Sequence, residues 1–140
     1  MHQKLLLTTA DARRIISAAR AHAEKNNWNV TIAVVDDGGF LLALERLDGA
    51  MPQSAEIAMA KARTAAVMRL PTKTLEDMVK DRPGLLTMSG VTRVQGGLPV
   101  QIGDEYVGVV GVSGATSAQD ETVAAAGIAV VTAGPFTRSG

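Results

Sequence analysis

The chain has 140 residues, 46% hydrophobic and 20% charged, the profile of one ordinary globular domain, long enough to bury about two thirds of its unfolded surface. Fourteen basic residues cancel fourteen acidic ones, and only Trp28, Phe40, Tyr106 and Phe136 are aromatic, so neither a field that draws nucleic acid or an anionic membrane nor a base-stacking platform is expected. Without cysteine, disulfides, thiolate catalysis and cysteine-ligated metal are excluded; no run approaches the ~20 apolar residues of a membrane span, and MHQKLLLTTADARR is too briefly apolar for a secretory signal, which makes a cytoplasmic location the expectation.

In chain order, Thr8 or Thr9 can cap a first helix whose apolar face is Ala12, Ile15, Ile16, Ala19 and Ala23, ending near Asn26-Asn27. The β-branched run from Val30 to Val35 suits a strand, and Phe40 to Leu47 suits a second. Between them stands Asp36-Asp37-Gly38-Gly39. A phosphate loop needs a helix directly after its glycines; a strand follows here, so the segment reads as a hairpin turn. A second helix runs from a Ser54 cap to Pro71, and a short third helix, TKTLEDMVKD, takes Thr74 as its cap. After an irregular stretch rich in glycine, PVQIGDEYVGVVGVSGA reads as a second hairpin with IGDEY as its turn. The last helix, SAQDETVAAAGIAVV, carries a box-like Ser117/Asp120 pair at its start. Two hairpins among helices predict an α+β fold, a mainly antiparallel sheet with helices laid over it.

Three segments, IAVVDDGGFLLALERLDGA, SAEIAMAKARTAA and QGGLPVQIGDEYVGVVGVSGATSAQDETVAAAG, match in order and spacing those of the GlcG/HbpS family. That family includes the C-terminal domain of PduO-type proteins, and the likeness spans about Leu5 to Gly127. The resemblance implies one domain over 1–140, a central antiparallel sheet of about five strands with helices on its faces, and assembly into homo-oligomers, dimers or higher. It also implies a small-molecule ligand or cofactor, haem among them, since some members bind haem. Others are encoded near catabolic genes without a settled activity, and fold alone does not decide between these.

The candidate site residues each have a plain reading beside the functional one. Arg46 lies at the end of an aliphatic strand and Asp48-Gly49 begins the loop after it, and Arg46 to Ala50 match the family's segment; Arg46 is either a surface arginine or a fork for a carboxylate. Lys61 lies on an apolar helix face near Ala58 and Ala65, and either snorkels or meets an acid or an anion. Gly96-Gly97, with Arg93 nearby, either sets the strand's entry angle or forms an anion concavity. Ser113 and Gln119 flank the junction before the last helix, where Asp120 is a helix-start acid. His22, at the edge of the first helix's apolar stripe, is the best-placed axial donor for haem. No histidine pair has metal-site spacing. A catabolic enzyme acting on a small hydroxy-acid, aldehyde or unsaturated carboxylate is the alternative, with Asp48, Lys61 and Asp120 as candidate catalytic groups.

Overall fold

The computed structural model describes residues 1–133; residues 134–140 of the predicted domain lie outside the described residues. The elements run α1 (Thr9–Lys25), β1 (Thr31–Val35), β2 (Leu41–Arg46), α2 (Ser54–Met68), α3 (Thr72–Asp81), a short 3-10 turn (Pro83–Thr87), β3 (Gly97–Ile102), β4 (Glu105–Ser113) and α4 (Ser117–Thr132). The four strands form one antiparallel sheet in the order β2-β1-β4-β3. The expected five strands become four because the two hairpins supply four, and the chain between α3 and β3 folds as the 3-10 turn and loop.

Both hairpin turns form where the sequence puts them. Asp36 Oδ1 accepts the backbone N–H groups of Gly38 and Phe40, at 2.9 and 3.0 Å, and Gly39 takes a φ of +90°. Its carboxylate therefore holds its own turn together rather than facing a ligand. In the second hairpin Ile102 pairs with Glu105, leaving Gly103-Asp104 as the two-residue loop.

β1 and β4 lie at the centre of the sheet, and side-chain alternation sends their residues to two different cores. Ile32, Val34, Val110 and Val112 pack with Ile15 and Ile16 of α1 and Val123 of α4. Val35 and Val109 pack with Ala62, Ala65 and Ala66 of α2. Helices α1 and α4 thus cover one face and α2 the other. The alanines let α2 press onto β4 so closely that a Cβ on Gly111 would stand 2.2 Å from the Ala58 carbonyl oxygen; only glycine fits there.

The helix starts separate local from long-range chemistry. Thr8 and Asp11 form a full capping box on α1. On α4 the box is Thr116 with Gln119, not Ser117 with Asp120, because the Asp120 carboxylate is drawn inward to other partners. Ser54 does not cap α2: its hydroxyl is buried, 2.7 Å from that of Thr31, and donates to the Met51 carbonyl. Helix α3 begins at Thr72, two residues before the expected Thr74 cap. The Thr72 hydroxyl accepts the Gly97 N–H at 2.8 Å and so ties α3 to the start of β3.

Candidate functional site

The polar residues converge where β3 begins, β4 ends and α4 starts. Lys61 and Asp120 are each only 2% exposed. Lys61 Nζ donates to the Val112 carbonyl at 2.9 Å and to Asp120 Oδ2 at 3.2 Å, while Asp120 Oδ1 accepts the Ala115 N–H at 2.9 Å. The pair therefore links α2, the end of β4 and the first turn of α4 through buried, hydrogen-bonded charges. The two glycines of the predicted concavity serve this packing. Gly96, with φ +134°, lies against Lys61 so that a Cβ would come within 2.8 Å of Nζ, and one on Gly97 would meet the Lys61 carbonyl at 2.6 Å. The Gly97 N–H is already taken by Thr72. The concavity is thus a close-packing device over Lys61.

Burial raises the Asp120 pKa, opposed first by the Ala115 N–H and then by Lys61. A carboxyl with a raised folded-state pKa stabilises the fold fully below the unfolded value of about 3.9, and that contribution is lost as pH rises through the folded value. The stability of the wild type minus that of Asp120→Asn, from urea unfolding at a series of pH values, is expected to fall across that window. A difference that stays flat, or that rises with pH, would refute this assignment.

Arg93 is the residue of the site whose chemistry is unfinished. It is 7% exposed, and its Nε and Nη1 are buried with no hydrogen-bond partner among the described residues. Among the described residues, Nη2 meets the Met88 sulfur, at 3.8 Å. Nearly all buried polar groups are satisfied in folded proteins, and a charged one costs far more to leave unpaired than a neutral one. Its loop is held firmly on either side: the Thr92 N–H donates to the Thr64 hydroxyl at 2.8 Å, and Gln95 bonds Glu121. The scaffold is thus held in place around a guanidinium whose Nε and Nη1 are unpaired among the described residues. Thr72 and Met88 were not legible as parts of this site, since neither carries a local motif.

The remaining candidates do not join it. Ser113 ends β4 in register with Thr31, and Gln119 is occupied by its capping box. Arg46 and Asp48 are both exposed, Arg46 at the end of the edge strand β2. Asp48 borders a separate polar cavity of about 210 Å³ with Arg20 and Asn27. His22, on α1, sets its ring edge-on to Trp28 at 5.9 Å, and α1 packs on the sheet face opposite to α2. The sheet stands between His22 and Lys61, and the predicted axial donor is not brought to the Gly96-Gly97 loop. Among the described residues no cluster of three His, Asp or Glu side chains offers a metal site, and no helix is long and apolar enough to cross a membrane.

The described residues form an α+β fold, four α-helices on an open antiparallel sheet of four strands, with a buried ion pair at the sheet's end. Residues 7–129 match the family described as haem degrading protein HbpS-like, and the chain belongs to that family. It is 48% identical to Protein GlcG of Escherichia coli K12 over 114 residues, which cover 81% of this chain and 85% of GlcG. Among solved structures it resembles a doubly substituted HbpS of Streptomyces reticuli, with TM-score 0.86, 38% identity, and coverage of 94% of this chain and 90% of that one. It also resembles PduOC, crystallised as a haem complex, with TM-score 0.81, 28% identity, and coverage of 89% and 94%.

Proposed function

We propose that this protein binds a small anionic molecule through a carboxylate held by Arg93, either haem through a propionate or a small carboxylate metabolite. The observation that carries the reading is the buried guanidinium with two nitrogens unpartnered. A carboxylate matches that fork geometrically and offsets its charge. The description of the family and the PduOC–haem complex support haem as one such ligand. Entry requires Met88, half exposed over the guanidinium, to swing aside.

The fit to haem is one-sided. Arg93 suits a propionate, whereas His22 is on the far side of the sheet and Met88 touches the guanidinium itself. No described residue at the Arg93 loop is a histidine. Bound haem would supply redox chemistry at its iron; what this chain contributes is an anchor for the acidic edge. The acid–base alternative lacks a comparable observation. Lys61 and Asp120 are committed to each other and to backbone groups, and Asp48 is exposed at a different cavity. We place the protein in the cytoplasm as a homo-oligomer.

A thermal-shift series tests the reading. Haemin or a simple carboxylate such as acetate is expected to raise the unfolding midpoint progressively with concentration, as any ligand of the folded state must. If neither moves the midpoint up to the solubility limit, the binding proposal fails.

A further inference from the structure

Met88 lies against Arg93, and the ligand reading uses it only as a door. Its backbone is fixed: the Met88 N–H donates to the Leu85 carbonyl at 3.2 Å and closes the 3-10 turn. Its side chain is half exposed, and its sulfur accepts from Arg93 Nη2 at 3.8 Å. A thioether is a weak acceptor. The contact therefore does little for a guanidinium whose Nε and Nη1 are unpaired among the described residues. Met51, Met59 and Met78 are exposed as well, but among the described residues only the Met88 sulfur takes a hydrogen bond from a cation.

One added oxygen changes this arrangement. A hydroperoxide can reach an exposed thioether from solvent. A sulfur lone pair attacks the outer peroxide oxygen; an S–O bond forms and the O–O bond breaks. The proton of the transferred oxygen passes to the departing oxygen, which leaves as water or an alcohol. Sulfur loses two electrons and the peroxide gains them. The product is a polar sulfoxide, whose oxygen accepts hydrogen bonds far better than the thioether does. With the sulfur already in contact with Nη2, that oxygen comes within hydrogen-bond reach of the guanidinium. The flexible methionine chain lets it turn towards Nη1 or Nε.

We propose that Met88 is an oxidation site whose sulfoxide oxygen pairs with Arg93 and closes the fork to carboxylates. The closure rests on the carboxylate reading of Arg93; the pairing does not. The oxygen is tethered five residues from the guanidinium, so it competes with free carboxylate at a high effective concentration. Methionine oxidation ordinarily harms a fold by setting a polar group among apolar ones. Here Met88 is half exposed beside buried, unpaired donors. The sign reverses, and the unliganded protein gains stability. Enzymatic reduction of the sulfoxide reverses both effects.

The cysteine-free chain leaves methionine as the main target of hydrogen peroxide, and peptide mass spectrometry reports the oxygen gained at each one. Met88 is expected to gain one oxygen in the folded protein. A Met88 still reduced after Met51 and Met59 are oxidised overturns the site. Met88→Leu reports what oxidation of the other methionines does. The peroxide-induced change in thermal midpoint should be more positive in wild type than in Met88→Leu by about 3 °C or more. That excess should vanish in an Arg93→Met background. No excess, or one that survives Arg93→Met, overturns the pairing. Titration with acetate and haemin, after the peroxide is removed, tests the closure. Oxidised wild type should bind about tenfold or more weaker than reduced wild type. Sulfoxide reductase should reverse the loss, and peroxide should cause no such loss in Met88→Leu. Equal binding by reduced and oxidised wild type overturns the closure. If reduced wild type binds neither probe, the carboxylate reading fails, and with it the closure, while the midpoint excess still decides the pairing.

Discussion

Replacing Arg93 with methionine is expected to make the unliganded protein more stable. Arg93 is buried, and two of its guanidinium nitrogens have no partner among the described residues. An unpaired buried polar group carries a penalty of about 1–3 kcal/mol, more when charged. Methionine fills comparable space with no charge and adapts to irregular surroundings. A gain of about 1–3 kcal/mol follows, equivalent to roughly 3–10 °C in the thermal midpoint for a domain of this size. A purely structural arginine predicts the opposite sign, so calorimetry of the two proteins separates the readings. Binding sites commonly hold such destabilising groups because their partner is the ligand.

The second large effect concerns Lys61. In Lys61→Met the Asp120 carboxylate stays buried, with the backbone N–H groups of Ala115 and Gly114 beside it but no counter-charge from Lys61. Breaking one half of a buried pair typically costs about 3–5 kcal/mol, here a fall of roughly 10 °C. Removing the second charge as well, in Lys61→Met with Asp120→Leu, should recover most of the loss, since apolar pairs of similar volume often replace buried ion pairs without cost. The Ala115 N–H would still lack its acceptor, leaving a deficit of about 1–2 kcal/mol. Urea unfolding of the two single variants and the double variant gives the coupling. Additive losses would show that the two charges do not act as a pair.

Features governed by neighbouring residues were legible in the sequence. The turn at Asp36–Gly39 and the Thr8 cap follow from side chains within four residues of the backbone they bind, and the Gly103-Asp104 loop from a two-residue connection between paired strands. The α4 box was misplaced by one residue because Asp120 answers to Lys61, 59 positions away. Ser54 and Thr72 were read wrongly, or not at all, for the same reason: their partners are Thr31 and Gly97. Of the candidate site residues, Lys61, Asp120, Gly96 and Gly97 do come together, whereas Arg46, Asp48 and His22 lie elsewhere. Arg93 was singled out for its charge beside the glycines. Its burial without a partner depends on how α2, the 3-10 turn and β3 meet, which no local pattern encodes.

The claim that Arg93 is a carboxylate-binding fork is tested most directly by titrating wild type, Arg93→Met and His22→Ala with haemin and following the Soret band. Two charge-assisted hydrogen bonds are worth roughly 3–6 kcal/mol net, about 100- to 20,000-fold in affinity. Wild type and His22→Ala are expected to saturate at one haemin per chain with similar affinity, and Arg93→Met to bind weaker by that factor. Equal binding by wild type and Arg93→Met would contradict the account.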